Sequence, residues 1–204
     1  IAGMQGILVR PYQPADRGPL RSVCCDTAIL GDPIDVVFPD REIVADLLSG
    51  YYTDHEPQAA WVAEREGVVG GYLTGCLNNR RYQRMMRWRI VPRTALKAAL
   101  KGLLTEPATW RLFHAAVRTL QLGVWSEAEE IEHYPAHLHM NLKPYLRGQR
   151  LGEALLGHFF AHARANNIPG ACAAVRSDNP AACKFFQRQG FRELFRHPLV
   201  LPRG

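Results

Sequence analysis

The sequence lacks any apolar run long enough to cross a membrane. Its uninterrupted apolar stretches fall far short of the roughly 20 residues that a membrane-spanning helix needs. It also lacks a basic segment followed by an apolar one at its start, so we expect no secretory signal and a cytoplasmic location. Internal repeats and low-complexity segments are missing as well, which excludes repeat architectures.

The cysteines are few, and their spacing matches no known disulfide or metal-binding motif. The five cysteines include no C-x-x-C motif. An odd number disfavours a disulfide framework, and the absence of a ligand cluster with suitable spacing disfavours a metal site. We therefore predict buried, neutral thiols and no metal.

What the chain does have is the composition of a globular protein. Its 204 residues are 47% hydrophobic and 22% charged, enough for one sizeable core. We predict a single domain over 1–204, with an insertion at 79–126. The formal net charge of +6 suits an anionic ligand, but it does not choose between a nucleotide cofactor, nucleic acid and an acidic surface.

Hydrophobic periodicity and turn residues predict strands and helices in alternation. A hairpin turn is predicted at Glu66-Gly67. The other predicted strands lie at 6–13, 134–142, 171–176 and 191–201, and the predicted helices at 20–28, 41–52, 150–166 and 179–189. This order is typical of an α/β domain.

The stretch from 79 to 126 differs from the rest of the chain in its hydrophobic pattern and charge. It predicts two or three helices, with breaks near Pro92 and at Glu106-Pro107. Its first part carries eight cations and no acid: Arg80, Arg81, Arg84, Arg87, Arg89, Arg93, Lys97 and Lys101. These charges suit a nucleic-acid-binding module, but the solvent-exposed face of an amphipathic helix has the same pattern. No nucleic-acid-binding motif accompanies them. We therefore do not expect nucleic acid as a partner.

A glycine-containing bend follows the strand predicted at 134–142 and opens a helix. The bend reads "RGQRLG", from Arg147 to Gly152. A bend of this kind binds phosphate, because first-turn N–H groups lack intrahelical partners and the helix dipole favours an anion. Further on, "SDNPAACKFFQRQGF" has Asn179 as a good N-cap and Gly190 as a stop. The two motifs are separated by a helix and a strand.

These two motifs resemble those of the GNAT superfamily, the coenzyme-A-dependent N-acetyltransferases. The resemblance covers roughly 135–195 and is loose over 5–78. It implies an α/β fold with a mixed, mostly antiparallel sheet flanked by helices, and it makes the helices of 79–126 an insertion between the third and fourth strands. It also implies acetyl-CoA as co-substrate, held by Met140, Leu142, Arg147, Gly148, Gln149, Arg150, Leu151, Gly152 and Asn179.

Two positions depart from the family's pattern. Arg150 stands where the phosphate motif has its first glycine, so a Cβ is present there; the guanidinium could add a contact to phosphate. Arg147 and Arg150 could also be solvated surface arginines. Phe186 stands where many members carry a tyrosine as general acid, and a phenyl ring cannot protonate a departing thiolate.

The general base is left open by the sequence. His137 and His139 alternate along the predicted strand, so both point to one side of the sheet. An imidazole has the right pKa to deprotonate an amine, but a structural role suits either histidine equally well. Other open candidates are a base among Glu127, Glu129, Glu130 and Glu132, and an aromatic wall of an acceptor pocket from Tyr82, Trp88, Trp110 and Trp125.

The resemblance thus implies an N-acetyltransferase that moves an acetyl group from acetyl-CoA directly to an amine. The acceptor is not readable, and a homodimer is one option for the insertion. The alternatives are a catalytically inactive, acetyltransferase-like CoA-binding domain and the nucleic-acid module on 80–101.

Overall fold

A computed structural model of the chain describes residues 6–29, 31–38, 40–111, 114 and 133–196. Its centre is a five-stranded sheet in the order β1-β2-β3-β4-β5. Neighbours from β1 to β4 are antiparallel, and β5 runs parallel to β4. The strands are β1 (Ile7–Pro11), β2 (Ala60–Arg65), β3 (Val68–Cys76), β4 (Ala136–Leu142) and β5 (Ala171–Ala173). The predicted mixed, mostly antiparallel sheet is confirmed.

Helices cover both faces of this sheet. They are α1 (Arg17–Asp26), α2 (Arg41–His55), α3 (Asn79–Met85), a π-helix (Met86–Ile90), α4 (Val91–Leu100), α5 (Leu151–Ala165) and α6 (Pro180–Arg188). Short 3₁₀ turns connect them, including Pro144–Leu146 before α5. Over the described residues, none of the helices has the length and apolarity that crossing a bilayer would demand.

The core is split by the sheet into two layers. On one face, α5 buries Leu155, Leu156 and Phe159 against the sheet, and each such side chain contributes about 1.5–3 kcal/mol. On the other face, α1 packs on β2 and β3 through residues such as Leu20 and Val62. The tyrosine-rich end of α2 packs beside them.

The β2–β3 hairpin turns where the sequence predicts it. Glu66 and Gly67 both have positive φ, 53° and 79°. Two consecutive left-handed residues form the tight hairpin turn whose twist matches the strands. The hairpin therefore sets β3 beside β2, and β3 in turn pairs with β4.

Two local predictions are wrong. The chain does not break near Pro92, because α3, the π-helix and α4 follow one another without interruption and Pro92 falls in the first turn of α4. Proline removes one main-chain donor at this point, and the π-helical turn directly before it is the local irregularity in the helix. The strand predicted at 191–201 is not formed over its described part, 191–196. Phe191 instead donates its N–H to Phe186 O, which closes the end of α6.

Candidate functional site

Strand β4 separates from β5 partway along its length. The two strands pair only over three residues, Ala136 to Leu138, whereas β4 continues to Leu142 beside β3. The edge of β4 beyond Leu138 is therefore not covered by β5. A strand edge left open in this way presents main-chain N–H and C=O groups to a ligand.

The main-chain groups at that open edge belong to Met140 and Leu142. Lys143 donates its N–H to Gly70 O on the β3 side at 2.8 Å, and successive residues of a strand direct their main-chain groups to opposite edges. The register with β3 is unbroken from His137 to Leu142. Leu142 and Met140 therefore turn their N–H and C=O groups away from β3, toward the gap.

The loop after β4 ends in a helix start without a side-chain cap. Gly148 and Arg150 both adopt left-handed backbone, with φ of 76° and 59°, and α5 begins at Leu151. The N–H groups of Leu151, Gly152 and Glu153 have no intrahelical acceptor. Together with the helix dipole, they form a site for an anion such as a pyrophosphate.

The two arginines of the loop are placed differently. Arg147 donates from Nε to Leu142 O at 3.0 Å, which fastens the loop to the end of β4. Arg150 projects into solvent with its side chain 88% exposed, and its Nε lies 4.0 Å from Glu153. Gln149 donates from Nε2 to Tyr145 O at 2.8 Å. Arg150 is therefore open to an incoming phosphate, whereas Arg147 is also exposed but is held to the loop through Nε.

Helix α6 brings its aromatic side chains against the same loop. A Cβ placed on Gly152 would lie 3.0 Å from the ring of Phe185, so glycine allows α5 and α6 to approach closely. Phe186 packs on Phe185 and Phe191, with ring centroids 5.3 and 5.0 Å apart. Asn179 accepts from Ala182 N and caps α6.

His137 is buried and both of its ring nitrogens are hydrogen-bonded. Nδ1 lies 2.9 Å from Asn79 Oδ1, and Nε2 lies 2.7 Å from Tyr52 Oη. With the Asn79 oxygen as acceptor, Nδ1 carries the proton and Nε2 accepts from the tyrosine hydroxyl. Burial lowers the pKa of His137 to about 3, and nearby His139 adds to the effect. His137 is thus a neutral histidine with no lone pair left to offer.

His139 lies on the same face and is open to water. Its ring centroid is 5.6 Å from that of His137 and 5.7 Å from that of Tyr52. Protein around it lowers its pKa through desolvation. Access to water limits the size of that shift but not its direction, so His139 is neutral at pH 7. A neutral, accessible imidazole can accept a proton.

Three residues of this cluster were not singled out by the sequence. Tyr52 lies between the two histidines, and Asn79 fixes the His137 tautomer. Glu56, also buried, accepts from Tyr51 Oη at 2.7 Å and from Leu77 N at 2.8 Å, which fastens α2 to the end of β3. None of the three belongs to a sequence motif, so only their position beside β4 in the fold marks them as part of the cluster.

The remaining candidates are dispersed. Tyr82 is buried beside His137, with ring centroids 4.5 Å apart, whereas Trp88 and Trp110 are exposed. Trp125 and the four glutamates Glu127, Glu129, Glu130 and Glu132 lie outside the described residues. Over the part of the chain that the structure describes, no group of three potential ligands is close enough to hold a metal.

Comparisons with known proteins agree with this fold. Residues 122–191 match the model of the acetyltransferase (GNAT) family. The crystal structure of SsHAT is 25% identical in sequence, superposes with a TM-score of 0.76, and the alignment covers 96% of each chain.

More distant structures share the fold. The Salmonella typhimurium protein yncA, solved with its cofactor acetyl-CoA, is 14% identical with a TM-score of 0.50, over 92% of this chain and 80% of its own. The ribosomal-protein-alanine N-acetyltransferase of Brucella melitensis is 19% identical with a TM-score of 0.53, over 92% and 86%.

Proposed function

We propose that this chain, a member of the GNAT acetyltransferase superfamily and an N-acetyltransferase, transfers the acetyl group of acetyl-CoA directly to an amine. The observation that carries the proposal is the open edge of β4 leading into the uncapped start of α5. In this proposal 1–204 is a single domain and 79–126 is a helical insertion in it.

The open edge and the loop suit the two polar parts of coenzyme A. The main-chain groups of Met140 and Leu142 would bond the pantetheine amides, and the N–H groups from Gly148 to Gly152 would hold the pyrophosphate. Arg150 would add a charge-assisted contact from its exposed guanidinium. Arg147 would act by positioning the loop through Leu142 O.

His139 is the base in this proposal. Acetyl-CoA supplies a thioester carbonyl that a neutral amine can attack. The C–N bond of the amide forms, the C–S bond breaks, and the amine nitrogen gives up a proton to the ring of His139, directly or through water. His137 keeps Tyr52 in place beside it, because both nitrogens of His137 are already bonded.

The proton on the departing sulfur has another source. Phe186 has no hydroxyl and packs between Phe185 and Phe191, so the thiolate would take its proton from water. An acceptor that arrives as an ammonium carries one proton more than the neutral amine, and after His139 has taken one proton the other would go to the sulfur. The lack of a hydroxyl at Phe186 also favours a second candidate function, a domain that binds CoA without catalysing transfer.

One experiment separates these functions. Calorimetry with acetyl-CoA, CoA and ATP should show binding of the first two in preference to ATP, and CoA release should then be followed with a panel of amines. Binding with no release for any amine would favour the inactive domain. An ATP response equal to that for acetyl-CoA would refute the cofactor assignment.

A further inference from the structure

The outer side of the helical segment that begins with α3 carries an arginine-rich concavity. Its volume is about 250 Å³, and it is lined by Arg80, Gln83, Arg84, Arg87 and Trp88. The spacing of 80, 84, 87 and 88 places these side chains on one side of the helix. We call this surface the arginine face.

The last two cations of the basic stretch 80–101 are paired with acids. Lys97 in α4 lies 2.9 Å from Asp46, and Lys101, directly after α4, lies 2.7 Å from Asp40. Both also reach Glu42. Acids at the start of α2 and within it therefore neutralise the last two cations of the basic stretch.

Five arginines that precede Lys97 have no such acidic partner in the part of the chain that the structure describes. Among the described residues, no carboxylate pairs with five exposed arginines of this stretch: Arg81, Arg84, Arg87, Arg89 and Arg93. Like charges held this close repel one another, and a polyanionic ligand relieves that repulsion. Arginine also matches phosphate geometry with two parallel N–H donors.

Trp88 adds a second kind of recognition. Trp88 is 72% exposed, although burying a tryptophan side chain usually stabilises a protein strongly. An exposed aromatic ring among arginines is the combination on which nucleic-acid bases stack while their phosphates are neutralised. An acidic peptide would use the arginines but would not require the ring.

The same helix contacts the candidate catalytic cluster on its inner side. Asn79 bonds His137, and the ring of Tyr82 packs against it. A ligand on the arginine face would lie about one helix diameter from these residues, on the order of 10–12 Å. Binding there is thus close enough to bear on the site.

We propose that the arginine face is a binding site for nucleotide phosphates, with Trp88 stacking on a base. The sequence alone did not favour nucleic acid, because it could not show which of the cations pair with the described acids. The inference holds whether or not the proposed transferase function does. A free nucleotide and a single strand share this chemistry, and the experiment distinguishes them.

The test compares adenosine monophosphate, a 12-nucleotide single-stranded RNA and heparin, a polyanion without bases. Binding is measured by tryptophan fluorescence and anisotropy, with excess CoA present so that nucleotide does not occupy the cofactor site. The variants are Arg84→Ala/Arg87→Ala and Trp88→Ala. Arg164→Ala/Arg188→Ala removes the same charge from α5 and α6 and is the matched control.

The arginine double variant should weaken binding of both base-bearing probes at least tenfold. For RNA it should make the plot of log affinity against log salt shallower by about 1.4, since each single-strand phosphate contact contributes about 0.7. Trp88→Ala should weaken the base-bearing probes about fivefold or more and leave heparin unchanged. Much tighter binding of RNA than of the mononucleotide would identify a strand, and similar binding a free nucleotide.

Three results would overturn the proposal: no binding of either base-bearing probe, an equal loss in the control variant, or RNA and heparin binding alike with no effect of Trp88→Ala. The last result would leave a surface that recognises charge alone. Failure of acetyl-CoA to bind the wild-type protein would instead refute the proposed function, and the comparison among variants does not depend on it.

Discussion

The residue at position 150 allows the backbone and the side chain of the phosphate loop to be tested separately. Arg150 has φ of 59° and ψ of 12°, a left-handed conformation in which a residue with a Cβ is strained. That strain costs about 1–2 kcal/mol. Arg150→Gly removes it, while Arg150→Ala keeps it, and both remove the guanidinium.

The expected gain in stability follows from two opposing effects. Glycine relieves the left-handed strain, but it also gives the unfolded chain more conformational freedom. That freedom lowers the free energy of unfolding by about 0.4–1 kcal/mol. The net gain for Arg150→Gly is about 0.5–1 kcal/mol, or a rise in Tm of about 1–4 °C for a chain of this size. The contact with Glu153 adds little to this balance, because it is long and both side chains are exposed.

Binding should respond differently from stability. If the guanidinium contacts a phosphate, both variants should bind acetyl-CoA about three- to tenfold more weakly, a loss typical of one exposed charge-assisted contact. Tm is measured by calorimetry without ligand, and affinity by titration. Unchanged affinity in both variants would remove the guanidinium from the site, and a loss confined to Arg150→Ala would show that backbone shape alone matters.

Three further predictions test the cluster and the leaving group. His139→Ala should lower the rate of transfer about 10²- to 10⁴-fold with acetyl-CoA affinity within twofold by calorimetry, and an unchanged rate would exclude His139 as base. His137 has a folded-state pKa near 3, below its unfolded value of 6.5. At a pH between these two values, the imidazole is protonated in the unfolded chain but not in the folded one. The free energy of unfolding should therefore fall by up to about 1.4 kcal/mol per unit as pH drops from 6.5 to 5. The lowered pKa of His139 acts in the same direction, so urea titrations of His137→Gln should show a smaller decrease than those of the wild type. Phe186→Tyr should raise turnover by offering the thiolate a proton; normal acetyl-CoA binding with all transfer lost would show that the ring packs on the co-substrate.

Local sequence determined the elements that frame the site. Glu66-Gly67 predicted the hairpin, since few residue pairs tolerate two left-handed conformations in succession. Asn179 predicted the start of α6 through its cap. The order of strand, glycine bend and helix predicted the loop at Arg147–Gly152, because the phosphate binding that we propose for it belongs to consecutive main-chain groups.

Residues far apart in sequence required the tertiary structure. Tyr52 and Asn79, which come from two different helices, bond both ring nitrogens of His137. Of the two histidines, it is the ring of His139 that has no hydrogen bond to another described residue. The same holds for the basic stretch. Acids of α2 pair with Lys97 and Lys101 but not with Arg84 or Arg87. Sequence spacing determines which side of a helix or strand a side chain occupies, but its partners depend on how the elements pack, and that is a property of the whole fold.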